Sequence, residues 1–146
     1  MSRTLIKTIV DSQIINGPPC VTTSANVTSS SFVTVSNSPT LTFTPTVSGK
    51  YKVYSSPWTY DGSAGGYGVS RIFNTAGGAS LIKESWGTVY GNSGDHGSST
   101  YIESTYNLVA GVSYSFDIQM LTSTGVGLIG SAPYTQFNIC AEKIGS

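Results

Sequence analysis

From Val112 to Leu121 the chain alternates: Val112, Tyr114, Phe116, Ile118 and Met120 are apolar, and Ser113, Ser115, Asp117 and Gln119 between them are polar. A period of two puts the first set on one face of an extended chain and the second on the other. The segment therefore predicts a strand with one buried and one wet face.

The pattern recurs along the chain. Leu41 and Phe43 alternate with Thr40, Thr42 and Thr44 ahead of Pro45, and Tyr51 and Val53 alternate with Lys50 and Lys52. Within Tyr101 to Val109, Ile102, Tyr106 and Leu108 share one face, with Glu103, Thr105 and Asn107 on the other. Phe137, Ile139 and Ala141 do the same in the last strand. Turn formers separate these runs at Gly17-Pro18-Pro19, Asn37-Ser38-Pro39, Ser48-Gly49, Asp61-Gly62, Gly77-Gly78, Asn92-Ser93-Gly94, Ala110-Gly111 and Ala132-Pro133. Helical spacing is met only from Thr4 to Ile15, through Leu5, Ile6, Ile9, Val10 and Ile14. The predominance of Ile and Val there favours an extended lead, with a short coiled stem as the alternative. The expected fold is an all-β antiparallel sandwich or barrel. Residues 1–19 form a stem or leading strand, and residues 20–146 form the binding domain. The Gly-rich stretches Asp61 to Gly68 and Gly91 to Ser99 are read as its long loops.

The surface is wetted by hydroxyls, amides and backbone rather than ions. Only 10% of residues are charged, against about 25% in an ordinary soluble domain, and there are 17 Gly. Net charge is zero, so no basic patch is available to displace counterions from phosphates and nucleic acid is excluded as a partner. No stretch approaches the ~20 apolar residues that span a bilayer, so no membrane insertion is expected. Met1 to Val10 carries Arg3 and Lys7 but neither a long apolar run nor a small-residue cleavage site, so it does not read as a signal peptide. An exported chain of this kind is expected to be processed, assembled on a particle or part of something longer. The sequon Asn26-Val27-Thr28 has meaning only in a eukaryotic secretory setting.

Catalytic chemistry finds little to use. The one histidine, His96, sits beside Asp95 in a Gly-rich stretch, where neighbours cannot aim their side chains as a nucleophilic triad requires, and no G-x-S-x-G elbow occurs. A structural zinc site lacks ligands, and the carboxylates Asp11, Asp61, Asp95 and Asp117 are too scattered for a calcium loop. The spacing of Asp61, Glu84, Asp95, Glu103 and Asp117 gives no paired carboxylates for glycoside cleavage. The expectation is no enzyme, no cofactor and no metal.

What remains is a mixture suited to sugars, in which aromatic faces stack on a pyranose and amides, carboxylates or imidazole bond its hydroxyls. Trp58, Tyr60, Asp61 and Tyr67 gather at the first Gly-rich stretch, and Tyr90, Asn92, Asp95 and His96 flank the second, with Trp86 just ahead. These are the candidate ligand-binding residues. For Trp58 and Trp86 the competing reading is a core or interface plug.

Val47-Ser48-Gly49-Lys50-Tyr51-Lys52-Val53, Leu108 to Phe116 with its central Gly111, and Tyr134-Thr135-Gln136-Phe137-Asn138-Ile139 together resemble strands of the C1q/TNF-like jelly rolls, over roughly Phe32 to Ile144. The Ser, Thr and Gly richness is closer to tips of phage tail or head fibres and bacterial trimeric adhesins than to the animal proteins. The collagen-like stem of the animal group is missing, so that group's calcium and receptor sites transfer to no residue here. The resemblance implies a homotrimer at a virion surface or on an extracellular cell-surface fibre, with loops free at one end for recognition. Tyr54 and Tyr101, on the polar sides of their strands, are expected at a subunit interface. Cys20 and Cys140 lie near opposite chain ends, which a jelly roll can bring together as a disulfide; two separate buried thiols are the alternative. The function expected is adhesion or receptor binding through a cell-surface glycan or glycoprotein. A structural capsid-decoration or fibre-capping domain is the alternative.

Overall fold

The computed structural model describes residues 14–16, 25–35, 39–61, 65–90, 97–123, 127–130 and 138–146. Within them lie the strands β1 (Ile14–Asn16), β2 (Ala25–Val27), β3 (Val33–Thr34), β4 (Leu41–Phe43), β5 (Gly49–Ser55), β6 (Trp58–Asp61) and β7 (Tyr67–Ala76). They continue with β8 (Ser80–Glu84), β9 (Gly87–Tyr90), β10 (Gly97–Ser99), β11 (Ile102–Leu108), β12 (Tyr114–Thr122), β13 (Gly127–Gly130) and β14 (Ile139–Gly145). No helix occurs among the described residues.

All the pairings are antiparallel, as expected from the sequence. One sheet runs β1-β14-β5-β11-β8 and another β3-β12-β7-β9, with β4 also on β12. Take the strands β1, β4, β5, β7, β9, β11, β12 and β14 as first to eighth. The first sheet then reads first-eighth-third-sixth, and the second reads second-seventh-fourth-fifth. That is the interleaved order of a jelly roll, in which every pair of neighbours in sequence except the fourth and fifth falls in opposite sheets. A smaller sheet, β10-β6-β13-β2, completes the set.

The core lies between the two large sheets and is built by the alternation read above. Tyr51, Val53, Ile102, Tyr106, Leu108, Ile139 and Ala141 face inward from the first sheet; Leu41, Phe43, Ile72, Tyr114, Phe116, Ile118 and Met120 do so from the second. Phe116 is its hub, with ring centroids 4.8 Å from Tyr106 and 6.1 Å from Phe43. The polar ends of the core tyrosines are satisfied at its margins. Tyr51 donates to the Val47 carbonyl at 2.8 Å, and the Tyr114 hydroxyl accepts the Val109 amide at 2.9 Å.

Four boundaries differ from the sequence reading. Val112 lies outside β12 and is exposed, because the Val112 amide bonds back to the Val109 carbonyl in a turn where Gly111 takes a positive φ. Trp58, Tyr60 and Asp61 are strand residues of β6 rather than loop residues, since Trp58-Thr59-Tyr60 is a run of strong strand formers that finds partners on both sides. Likewise Tyr67 and Gly68 open β7 and Gly97–Ser99 forms β10, so both Gly-rich loops are shorter than expected.

The chain between β5 and β6 explains how the small sheet is placed. Pro57 has no N–H and interrupts the ladder there, while its carbonyl accepts the Thr100 amide at 3.1 Å. The ribbon β5–β11 pairs Ser55 with Ile102, and beyond the break the ribbon β6–β10 pairs Trp58 with Ser99. One long antiparallel ribbon therefore changes sheet at Pro57.

Candidate functional site

That ribbon brings the end of β6 beside the start of β10, the strands next to the two Gly-rich segments. Asp61 ends β6 and Tyr67 begins β7, while Tyr90 ends β9 and Gly97 begins β10. Tyr60 pairs with Gly97, and Tyr67 pairs with Tyr90. The four anchors of the two segments thus sit in adjoining ladders. The Tyr67 and Tyr90 rings stand edge to face with centroids 6.3 Å apart, 41% and 72% exposed. The Tyr67 backbone is fixed twice by Ser123: its amide donates to the Ser123 hydroxyl, and its carbonyl accepts the Ser123 amide, both at 2.9 Å. Such a pair offers exposed ring faces and two hydroxyls, the equipment for stacking against and bonding to a sugar.

Of the other candidate residues, Trp58 is half-buried on β6, and Tyr60 and Asp61 belong to the same strand. Asn92, Asp95 and His96 lie outside the described residues, as do Cys20 and residues 1–13 of the leading segment; Cys140 is buried on β14. Ile14–Asn16 pairs with β14 at the sheet edge. Trp86 is 58% exposed, so it plugs no core in the chain itself.

The outer face of β5 and β11 holds the other tyrosines singled out above. The Tyr54 and Tyr101 rings lie 6.1 Å apart, and Tyr101 donates to Glu103 at 3.1 Å. Lys52 reaches Glu142 at 3.3 Å and lies 4.9 Å from the Tyr54 ring centre. Burial raises the pKa of both tyrosines, so they remain neutral donors across the physiological range.

Sequence reasoning missed a third group. Arg71, pointing out from β7, donates through Nε and Nη2 to Gln119 Oε1 at 3.0 and 2.8 Å. Its guanidinium carbon sits 4.0 Å from the Phe32 ring centre and 5.1 Å from that of Phe73, and Phe32 meets Trp86 edge-on at 5.4 Å. Glu84 Oε1 stands 3.9 Å from Arg71 Nε. A faint signal was present, since Arg71 falls in an otherwise uncharged strand between Ser70 and Ile72-Phe73. Its partners, however, depend on the register that sets Gln119 opposite it. Among the described residues no group of three or more His, Cys, Asp or Glu is placed to hold a metal ion.

Fold and site together define an antiparallel β-sandwich of jelly-roll order with an exposed aromatic pair across its β7–β9 ladder. No protein-family model matches the chain, and no curated protein does. The chain is similar in structure to the tripod (BppUct-A-L) from the baseplate of bacteriophage Tuc2009. The likeness has a TM-score of 0.60 at 20% identity and covers 97% of this chain and 69% of that one. At this identity it shows a shared fold.

Proposed function

We propose that this chain is a non-enzymatic receptor-binding or adhesive tip domain of a trimeric, C1q/TNF-like fibre on a virion or cell surface, recognising a cell-surface glycan or glycoprotein. The observation that carries this reading is the Tyr67–Tyr90 pair, two exposed aromatic rings in contact across the β7–β9 ladder, one at an end of each Gly-rich segment. The shared fold with a phage baseplate tripod supports a virion-surface setting. The test is a saccharide array probed with the wild type and with Tyr67→Ala and Tyr90→Ala. Binding lost in folded variants supports the proposal, and a blank wild-type array opposes it.

One observation favours the structural alternative, a capsid-decoration or fibre-capping domain. Leu81 and Ile82 are adjacent on β8, at the edge of its sheet, where the β8–β11 register shifts; they are 50% and 49% exposed. An edge strand with two exposed large apolar residues suits contact with another subunit. Light scattering separates the outcomes in combination with the array. A trimer that binds saccharide is a receptor-binding tip, and a trimer that binds none is a cap.

A further inference from the structure

Beside β7, away from the Tyr67–Tyr90 pair, an open pocket of about 250 Å³ is lined among others by Arg71, Phe73, Asn74, Leu81, Glu84 and Tyr106. Its walls are already organised. Asn74 Nδ2 donates to the carbonyls of Ala76 and Ser115 at 2.7 and 3.1 Å, and Asn74 Oδ1 accepts the Ala79 amide at 3.1 Å, so this residue shapes the wall. Arg71 has five N–H donors, and the bonds to Gln119 use two of them. Glu84 at 3.9 Å balances its charge from beyond hydrogen-bond reach, which leaves the carboxylate with acceptor capacity. Phe73 and Leu81 are 40% and 50% exposed and supply apolar surface at the mouth.

We infer that this pocket is a second saccharide subsite, taking one neutral, hydroxyl-rich ring. This deepens the receptor-binding proposal and rests on it. The argument is chemical matching. A sugar hydroxyl both donates and accepts, and here a guanidinium donor and a carboxylate acceptor lie side by side. Their charges cancel, so the pocket has no net attraction for an anion. An aromatic and an aliphatic wall suit the ring's apolar face. The volume falls just below the roughly 300–1,000 Å³ of sites for drug-sized ligands, which fits a single ring. Tyr67 and Arg71 share one face of β7 by the period of two, roughly 13 Å apart at strand rise, so a short oligosaccharide can reach both places.

Saturation-transfer NMR with a panel of neutral methyl glycosides, and with sialic acid as the anionic comparator, tests this. It is run on the wild type and on Tyr90→Ala, Phe73→Ala and Leu81→Trp. Leu81→Trp is a solvent-exposed change that narrows the mouth without touching the core. The expected result is transfer to a neutral glycoside that persists in Tyr90→Ala and weakens by about two- to tenfold in the other two. Three results overturn the inference: transfer insensitive to Phe73→Ala and Leu81→Trp, transfer to sialic acid alone, or no transfer to any probe. Transfer abolished by Tyr90→Ala alone overturns the pocket while leaving the receptor-binding proposal standing. A wild type silent in both this assay and the array removes both.

Discussion

Tyr67 and Tyr90 face each other across the β7–β9 ladder, with ring centroids 6.3 Å apart and most of the Tyr90 ring in solvent. A cross-strand aromatic pair this exposed contributes about 0.2–1 kcal/mol to folding. Tyr90→Ala is therefore expected to cost less than about 1 kcal/mol in urea unfolding. A larger loss would mean that the ring serves packing rather than contact.

Phe116 gives the opposite expectation. It is fully buried and packs on Phe43 and Tyr106, which joins the two large sheets. Phe116→Ala should cost about 3–5 kcal/mol in chemical denaturation, a large share of the ~5–15 kcal/mol typical of a domain.

The Gly77-Gly78 turn separates backbone strain from crowding. Both residues have positive φ, 94° and 61°. A Cβ on Gly77 would run into the Tyr114 ring and the Ser113 carbonyl, whereas one on Gly78 would meet nothing within 4 Å. Gly78→Ala should cost about 1–2 kcal/mol from the left-handed backbone alone. Gly77→Ala should add about 1–3 kcal/mol of overpacking, and it displaces the Tyr114 hydroxyl from the Val109 amide. Equal midpoints for the two variants would refute the packing described here.

Alkaline stability follows from Tyr106, whose pKa burial pushes from 10.0 up to about 12. Between those values the folded chain keeps this proton while the unfolded chain loses it. The unfolded state then binds fewer protons, so stability is intact below about pH 10 and falls as pH rises through about 12. Tyr51, Tyr54 and Tyr101 are raised chiefly by burial and act in the same direction. Urea midpoints measured from about pH 9 to 11 should decline, and less steeply in Tyr106→Phe, whose lost contribution is on the order of 2–3 kcal/mol at full development. Parallel declines would show that Tyr106 is not the buried phenol responsible.

Much of the sandwich could be read in advance because β4, β5, β11 and β12 place large apolar residues on one face. The inward positions of β7 include Gly68 and Ser70, and its outward positions carry Arg71 and Phe73, so the hydrophobic pattern that marks a strand is nearly inverted there. On β8 two adjacent apolar residues are both exposed, which hides its period. The site divides in the same way. Local composition drew attention to Tyr67 and Tyr90 separately, but their contact is a fact of ladder register. The grouping of Arg71 with Gln119, Glu84 and Phe32 depends on three different strand neighbourhoods, and no local pattern encodes it.

The most direct measurement is the dissociation constant, by titration calorimetry, for the strongest saccharide identified on the array. The wild type is compared with the folded double variant Tyr67→Ala/Tyr90→Ala. The account predicts binding weakened by about fivefold to 150-fold, from the loss of two aromatic contacts worth roughly 0.5–1.5 kcal/mol each. An unchanged constant in the double variant would contradict it.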